Sequence, residues 1–201
     1  MVKCVISDLG KVILFFDNAI FFRKLAEYCT LSAGDIAQRV HKHKDIIQSF
    51  DTGKMEPADF YREILMRLNA EIDQKTFFSI YNDVFFLNAP VLELLKRLKT
   101  SNKLILLSNT DVERFGFIKT KYPEIFLFDE YVLSYEVGYR KPHPEIYREA
   151  LRKALVSAQE CVFLDDMSEN IEGAQKLGMK AILYGPHTDL ETSLKQMRVS
   201  F

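Results

Sequence analysis

Three apolar runs in this chain each break off into a polar signature, and their order limits what the chain can become. Lys3-Cys4-Val5-Ile6-Ser7 ends at Asp8, Leu104-Ile105-Leu106-Leu107 ends at Ser108-Asn109-Thr110, and Cys161-Val162-Phe163-Leu164 ends at Asp165-Asp166. Arg140-Lys141-Pro142 lies between the second and the third. Short apolar runs with β-branched residues alternate here with longer segments of helical period, which predicts an α/β fold on a parallel sheet.

Strands are expected near 3–8, 103–108, 131–134, 161–165 and 180–184. Val91, Leu92, Leu94, Leu95 and Leu98 mark one helix between them. A second begins at Pro144, a good first-turn residue, with Ile146, Tyr147, Ala150, Leu151 and Ala154 on one face. A third carries Ile171, Ala174 and Leu177 and stops at Gly178. The stretch 16–88 differs. Its apolar residues fall in helical sets, such as Phe60, Tyr61, Ile64, Leu65 and Leu68, with no convincing strand among them. The turn Asp51-Thr52-Gly53-Lys54 separates two of the sets. A helical bundle inserted just after the first strand fits best. Gly185 to Phe201 reads as a short terminal helix.

Composition excludes several function classes. With 201 residues, 48% hydrophobic and 27% charged, the chain suits one sizeable globular domain or a domain with a modest insertion. A net charge of -1 points to no nucleic-acid or membrane surface. No apolar run approaches the ~20 residues that span a bilayer. Met1-Val2-Lys3 leads straight into a strand-like run, so a cytoplasmic location is expected. Cys4, Cys29 and Cys161 are odd in number and widely spaced, as free thiols in a reducing compartment would be.

In an open parallel sheet, ligands bind in the crevice at the carboxyl ends of the strands. One carboxylate, a hydroxyl with an amide, one cation and a carboxylate pair would converge there, a set suited to covalent, metal-assisted phosphoryl transfer. Taken alone, Asp8 reads equally as a turn former. Two adjacent acids after four buried apolar residues are costly unless compensated, and a divalent cation with oxygen ligands, magnesium, is the simplest compensation. The plain alternative is that Asp166 or Ser168 caps the helix that follows. Ser108-Asn109-Thr110 can offer a hydroxyl and backbone N–H groups to phosphate oxygens. Lys141, stiffened by Pro142-His143-Pro144, can neutralise a phosphoryl group, though by default it is a solvated cation. His41-Lys42-His43-Lys44 reads as a solvated helix face, because alternate positions do not share a side.

Together these motifs resemble the haloacid dehalogenase-like (HAD) hydrolase superfamily, over nearly the whole chain. They are Val5-Ile6-Ser7-Asp8-Leu9-Gly10-Lys11-Val12, Ser108-Asn109-Thr110, Arg140-Lys141-Pro142, and Phe163-Leu164-Asp165-Asp166 with Asn170. Tyr131 to Tyr184 is most like the branch that holds sugar-1-phosphate phosphatases, with the N-terminal phosphatase domain of soluble epoxide hydrolase a more distant relative. The resemblance implies a Rossmann-like, doubly wound core over 1–15 and 89–201, and a small helical cap over 16–88. It implies Asp8 as nucleophile, forming an aspartyl-phosphate that water hydrolyses. Magnesium would sit on Asp8, the Gly10 carbonyl and Asp166, with Asp165 supporting. Ser108, Asn109 and Lys141 would hold the phosphoryl oxygens of a small-molecule substrate, under a cap that excludes water.

One position departs from that pattern. Most phosphatases of the superfamily carry a second Asp, the general acid and base, two residues after the nucleophile; here Gly10 stands there. General acid–base help is worth ~10²–10⁴-fold, so its loss favours leaving groups that need little protonation, such as an anomeric phosphate. Lys11 or Asp17 are candidate stand-ins, and Phe15, Phe16, Asp17 and Arg23 are candidate contacts to the leaving group. Gly10 also admits a metal-independent 2-haloacid dehalogenase, against which the Asp165-Asp166 pair argues. A binding protein that has lost the chemistry is a third reading. Monomer and dimer are both open.

Overall fold

The computed structural model describes residues 1–201. In chain order the strands are β1 Cys4–Ser7, β2 Leu14–Phe16, β3 Phe85–Leu87, β4 Lys103–Ser108, β5 Glu130–Leu133, β6 Cys161–Asp165 and β7 Lys180–Leu183. The helices are α1 Asn18–Leu25, α2 Ala33–Lys42, α3 Lys44–Asp51, α4 Pro57–Leu68, α5 Gln74–Asn82, α6 Ala89–Leu98, α7 Val112–Lys121, α8 Ser134–Val137, α9 Pro144–Ala154, α10 Ser168–Lys176 and α11 Leu190–Gln196. No helix is long and apolar enough to cross a membrane.

Five strands form one parallel sheet in the order β5-β4-β1-β6-β7. Successive side chains of a strand point to opposite faces, and both faces here are covered. Val5, Leu104, Leu106, Val162 and Leu164 enter one apolar cluster; Cys4, Ile6, Ile105, Leu107, Cys161 and Phe163 enter the other. Ser7 pairs with Leu106 on one side and Leu164 on the other. This register brings Asp8, Ser108 and Asp165 to one end of three adjacent strands. The two cysteines that pair across β1 and β6 are buried free thiols.

The stretch expected to lack strands contains one. β3 pairs antiparallel with β2, Phe15 opposite Phe86, so the chain leaves and rejoins the sheet domain through a two-stranded ribbon. Three residues are too few to display a period of two, and the run Phe85-Phe86 fits a helical face equally well. Beyond the ribbon, α1 to α5 pack around aromatic side chains. Phe50 stacks on Phe60 with ring centroids 4.2 Å apart, and Phe77 meets Phe21, Phe60 and Tyr81. The bundle's apolar interior belongs to the same cluster as one face of the sheet.

Polar contacts also join the bundle to the sheet domain. Tyr81 donates to Asp111 Oδ2 at 2.9 Å, and Arg114 lies 4.2 Å over the Tyr81 ring. Arg140 pairs with Asp51 at 3.2 Å. Gly53 takes φ +66, and a side chain there would strike the Tyr135 carbonyl, so the bundle's turn approaches α8 as closely as only glycine permits.

Candidate active site

Asp8 begins the loop after β1. Its N–H donates to the Leu164 carbonyl at 2.8 Å, which ties that loop to β6. The carboxylate is nine-tenths buried and meets Lys141 Nζ at 2.6 Å through Oδ1. Lys141 Nζ also donates to Asp165 Oδ2 at 2.7 Å and to the Leu107 carbonyl at 3.0 Å. Its side chain is 1% exposed, so it is the reverse of a solvated surface cation. Asp166 completes the group: ligand oxygens of Asp8, Asp165 and Asp166 all lie within 4.8 Å of one another. Lys11, on the rim, reaches Asp166 Oδ2 at 3.6 Å.

Three carboxylates therefore face one buried ammonium. Burial pushes the Asp8 carboxyl up to about 7; the Lys141 ammonium opposes that rise and the Asp165 charge adds to it. Asp166 is raised by burial and then by Asp165, against Lys11 and Lys141. Burial works against the charge on Lys141, yet Asp8 and Asp165 outweigh it and hold its pKa up. These directions agree with one another: the cation is held by two partners, while each carboxylate has only part of a cation. The donor set is oxygen-only and short of positive charge, which fits a hard divalent ion.

The acids differ in how far protein groups already occupy them. Asp165 Oδ1 accepts the Met167 N–H and the Asn170 Nδ2 amide, both at 2.9 Å, and its Oδ2 is taken by Lys141. It braces Lys141 and has little left for a metal. Neither acid caps α10, whose N-cap is Met167. Gly10 makes an isolated bridge to Leu14 through the Leu9 carbonyl and the Lys11 N–H, and its own carbonyl stays outside that bridge.

Ser108 is buried at the end of β4. Asn109 differs from expectation. Its Nδ2 donates to the Lys141 carbonyl at 3.0 Å, and its Oδ1 accepts the Lys141 N–H at 2.8 Å. The side-chain amide is thus spent on the lysine's main chain rather than offered to a phosphate. Asp17 is not brought to the acids: it caps α1 by accepting the Ala19 N–H at 2.8 Å and faces Arg23 at 3.7 Å. His41 and His43 do not share a helix, because α2 ends at Lys42 and His43 forms the junction to α3.

Sequence reasoning missed Tyr147 as a support. Its hydroxyl donates to the Asn170 carbonyl at 2.9 Å, from a ring that Gly173 makes room for. A side chain at 173 would come within 2.9 Å of that ring. Apolar spacing marked Tyr147 only as core. It also missed the loop after β7. Tyr184, His187 and Thr188 line a cavity of about 690 Å³ together with Lys11, Phe15, Phe16 and Asp166.

Comparison with known proteins agrees with this geometry. The chain is 26% identical over 192 residues to D-ribitol-5-phosphate phosphatase of Bacteroides thetaiotaomicron, covering 90% of each. It is 29% identical over 179 residues to the sesquiterpene phosphatase astK of Aspergillus oryzae, covering 88% of this chain and 87% of that one. A HAD family enzyme from Bacteroides thetaiotaomicron, solved with magnesium and inorganic phosphate, superposes with a TM-score of 0.81 at 22% identity, over 96% of this chain and 99% of that one. Residues 2–178 match the sequence profile of the family, so the chain belongs to the haloacid dehalogenase-like hydrolases.

Proposed function

We propose that this protein is a magnesium-dependent phosphatase of a small phosphorylated metabolite, working through an aspartyl-phosphate on Asp8. The observation that carries the reading is the buried Asp8 carboxylate held 2.6 Å from Lys141 beside two further acids. Phosphatase relatives and a magnesium- and phosphate-bound enzyme of the same fold support it.

Asp8, Asp166 and the Gly10 carbonyl would hold the ion, which supplies charge neutralisation at the phosphoryl oxygens. Asp8 attacks phosphorus in line, and water then cleaves the acyl phosphate. Lys141 fixes the nucleophile and neutralises developing charge, while Asp165 and Asn109 keep the ammonium in place. Ser108 offers its hydroxyl to a phosphoryl oxygen. The bundle over 16–88 acts as the cap that excludes water. Among phosphorylated metabolites a sugar phosphate fits best, with the anomeric ester favoured, because Gly10 removes the acid at that position and an anomeric oxygen leaves with least need of a proton.

The test is phosphate release from sugar-1-phosphates, sugar-6-phosphates, acyl phosphates and an aryl phosphate, with and without magnesium, using Asp8→Asn as control. Magnesium-dependent turnover that vanishes in Asp8→Asn supports the reading. No turnover on any member, with magnesium still bound, overturns it in favour of a binding role or a halogenated substrate.

A further inference from the structure

We propose that His187, in the loop after β7, is the proton donor to the leaving group and takes the place of the acid missing at Gly10. This rests on the phosphatase reading above. It extends the substrate range from easily displaced anomeric phosphates to primary alkyl phosphates.

A side chain at position 10 would press on a neighbouring ring. A Cβ at Gly10 would stand 3.1 Å from Cε1 of Phe16, so the ring of β2 crowds the position from which that acid would project. Phe16 is also a wall of the cavity that opens beside Asp166, and a leaving group displaced from a phosphoryl group at the acids has that cavity next to it. The proton must then come from another wall.

The other hydrogen-bearing groups on those walls are spoken for. Lys11 is paired with Asp166 at 3.6 Å. Asp166 is the proposed metal ligand. The Tyr184 hydroxyl accepts the Asn88 amide at 2.9 Å. Thr188 Oγ1 accepts the Gly185 N–H at 2.9 Å and donates to the Leu183 carbonyl at 3.3 Å. His187 is exposed to the cavity, and its imidazole can both give and take a proton.

The step balances. The imidazolium gives its proton to the ester oxygen as the P–O bond breaks and the Asp8 carboxylate bonds to phosphorus, so a neutral alcohol leaves. The neutral imidazole then takes a proton from the water that attacks the aspartyl-phosphate. That regenerates the imidazolium and the Asp8 carboxylate and releases hydrogen phosphate.

The experiment compares wild type with His187→Gln on glucose 6-phosphate, which needs a proton on its leaving alkoxide, and on p-nitrophenyl phosphate, which does not. The expected result is a fall of ~10²-fold or more in kcat on glucose 6-phosphate and of less than about 5-fold on p-nitrophenyl phosphate. The fall in rate at alkaline pH, where a required acid loses its proton, disappears in the variant. Equal losses on both substrates, or none on either, overturn the assignment while leaving the phosphatase reading intact. Wild type that releases phosphate from neither substrate also overturns the assignment, and the phosphatase reading itself falls only if sugar-1-phosphates and acyl phosphates are left intact as well.

Discussion

Asn109 grips Lys141 by both sides of its main chain, accepting its N–H at 2.8 Å and donating to its carbonyl at 3.0 Å across 32 residues of sequence. An amide side chain matches a peptide unit in this way because it presents one donor and one acceptor. Each such bond contributes ~1 kcal/mol net. Asn109→Ala is therefore expected to lower kcat by roughly 30-fold, since ~2 kcal/mol of lost positioning has that effect on a rate. Magnesium titration calorimetry on the same variant should show near-normal binding, since Asn109 touches no acid. A matching loss of metal affinity would speak against a positioning role.

Lys141 is the only fully buried cation between Asp8 and Asp165. Replacing it with methionine leaves two carboxylates without their shared partner, a change that costs ~3–5 kcal/mol. Lys141→Met should abolish turnover and lower the melting temperature. Magnesium should raise that temperature by more degrees in the variant than in the parent, because the ion becomes the main remaining counter-charge. Thermal melts of both proteins across a magnesium series decide it; an equal rise in the two would contradict the charge argument.

Gly10 and Phe16 should be energetically coupled. A methyl at position 10 stands 3.1 Å from the Phe16 ring, closer than packed carbons prefer. Gly10→Ala is expected to destabilise by no more than ~1 kcal/mol in the natural background, because the Phe16 ring lies on a cavity wall and has only a few tenths of an ångström to yield. In a Phe16→Ala background the same change should be neutral or stabilising, because the space is open and alanine restricts the unfolded chain more than glycine does. A double-mutant cycle by urea unfolding measures the coupling, and additive effects would rule out the contact.

Asp51 supplies a pH signature of its own, outside the acid cluster. Burial pushes its carboxyl up to about 6, with Arg140 opposing and Asp111 adding to the rise. A carboxyl whose pKa is raised on folding stabilises the fold when protonated. Its contribution is present below about 4 and is lost as pH rises through about 6. The loss is on the order of 3 kcal/mol at most, about two pKa units. Urea midpoints from pH 4 to 7 should fall more steeply in the parent than in Asp51→Asn. Parallel curves would show that the residue titrates as an ordinary exposed acid.

The sequence by itself determined the sheet and the strand ends at which the candidate site residues gather. β1, β4 and β6 are apolar runs flanked by helices of clear period, and Asp8, Ser108 and Asp165-Asp166 stand at their carboxyl ends. These features are local, and the alternation of side chains across a strand carries them. Tertiary structure decided what each group is free to do. Lys141 is buried rather than solvated, Asn109 is spent on that lysine, Asp165 is held by Lys141, Met167 and Asn170, and Asp17 is a helix cap. The ribbon of β2 and β3 joins residues about seventy positions apart, and it sets Phe16 against the position from which a side chain at Gly10 would project. Periodicity reports which face a residue occupies within its own element. It says nothing of which element, far along the chain, packs onto that face, and those packings settle the state and the partners of every polar group in the site.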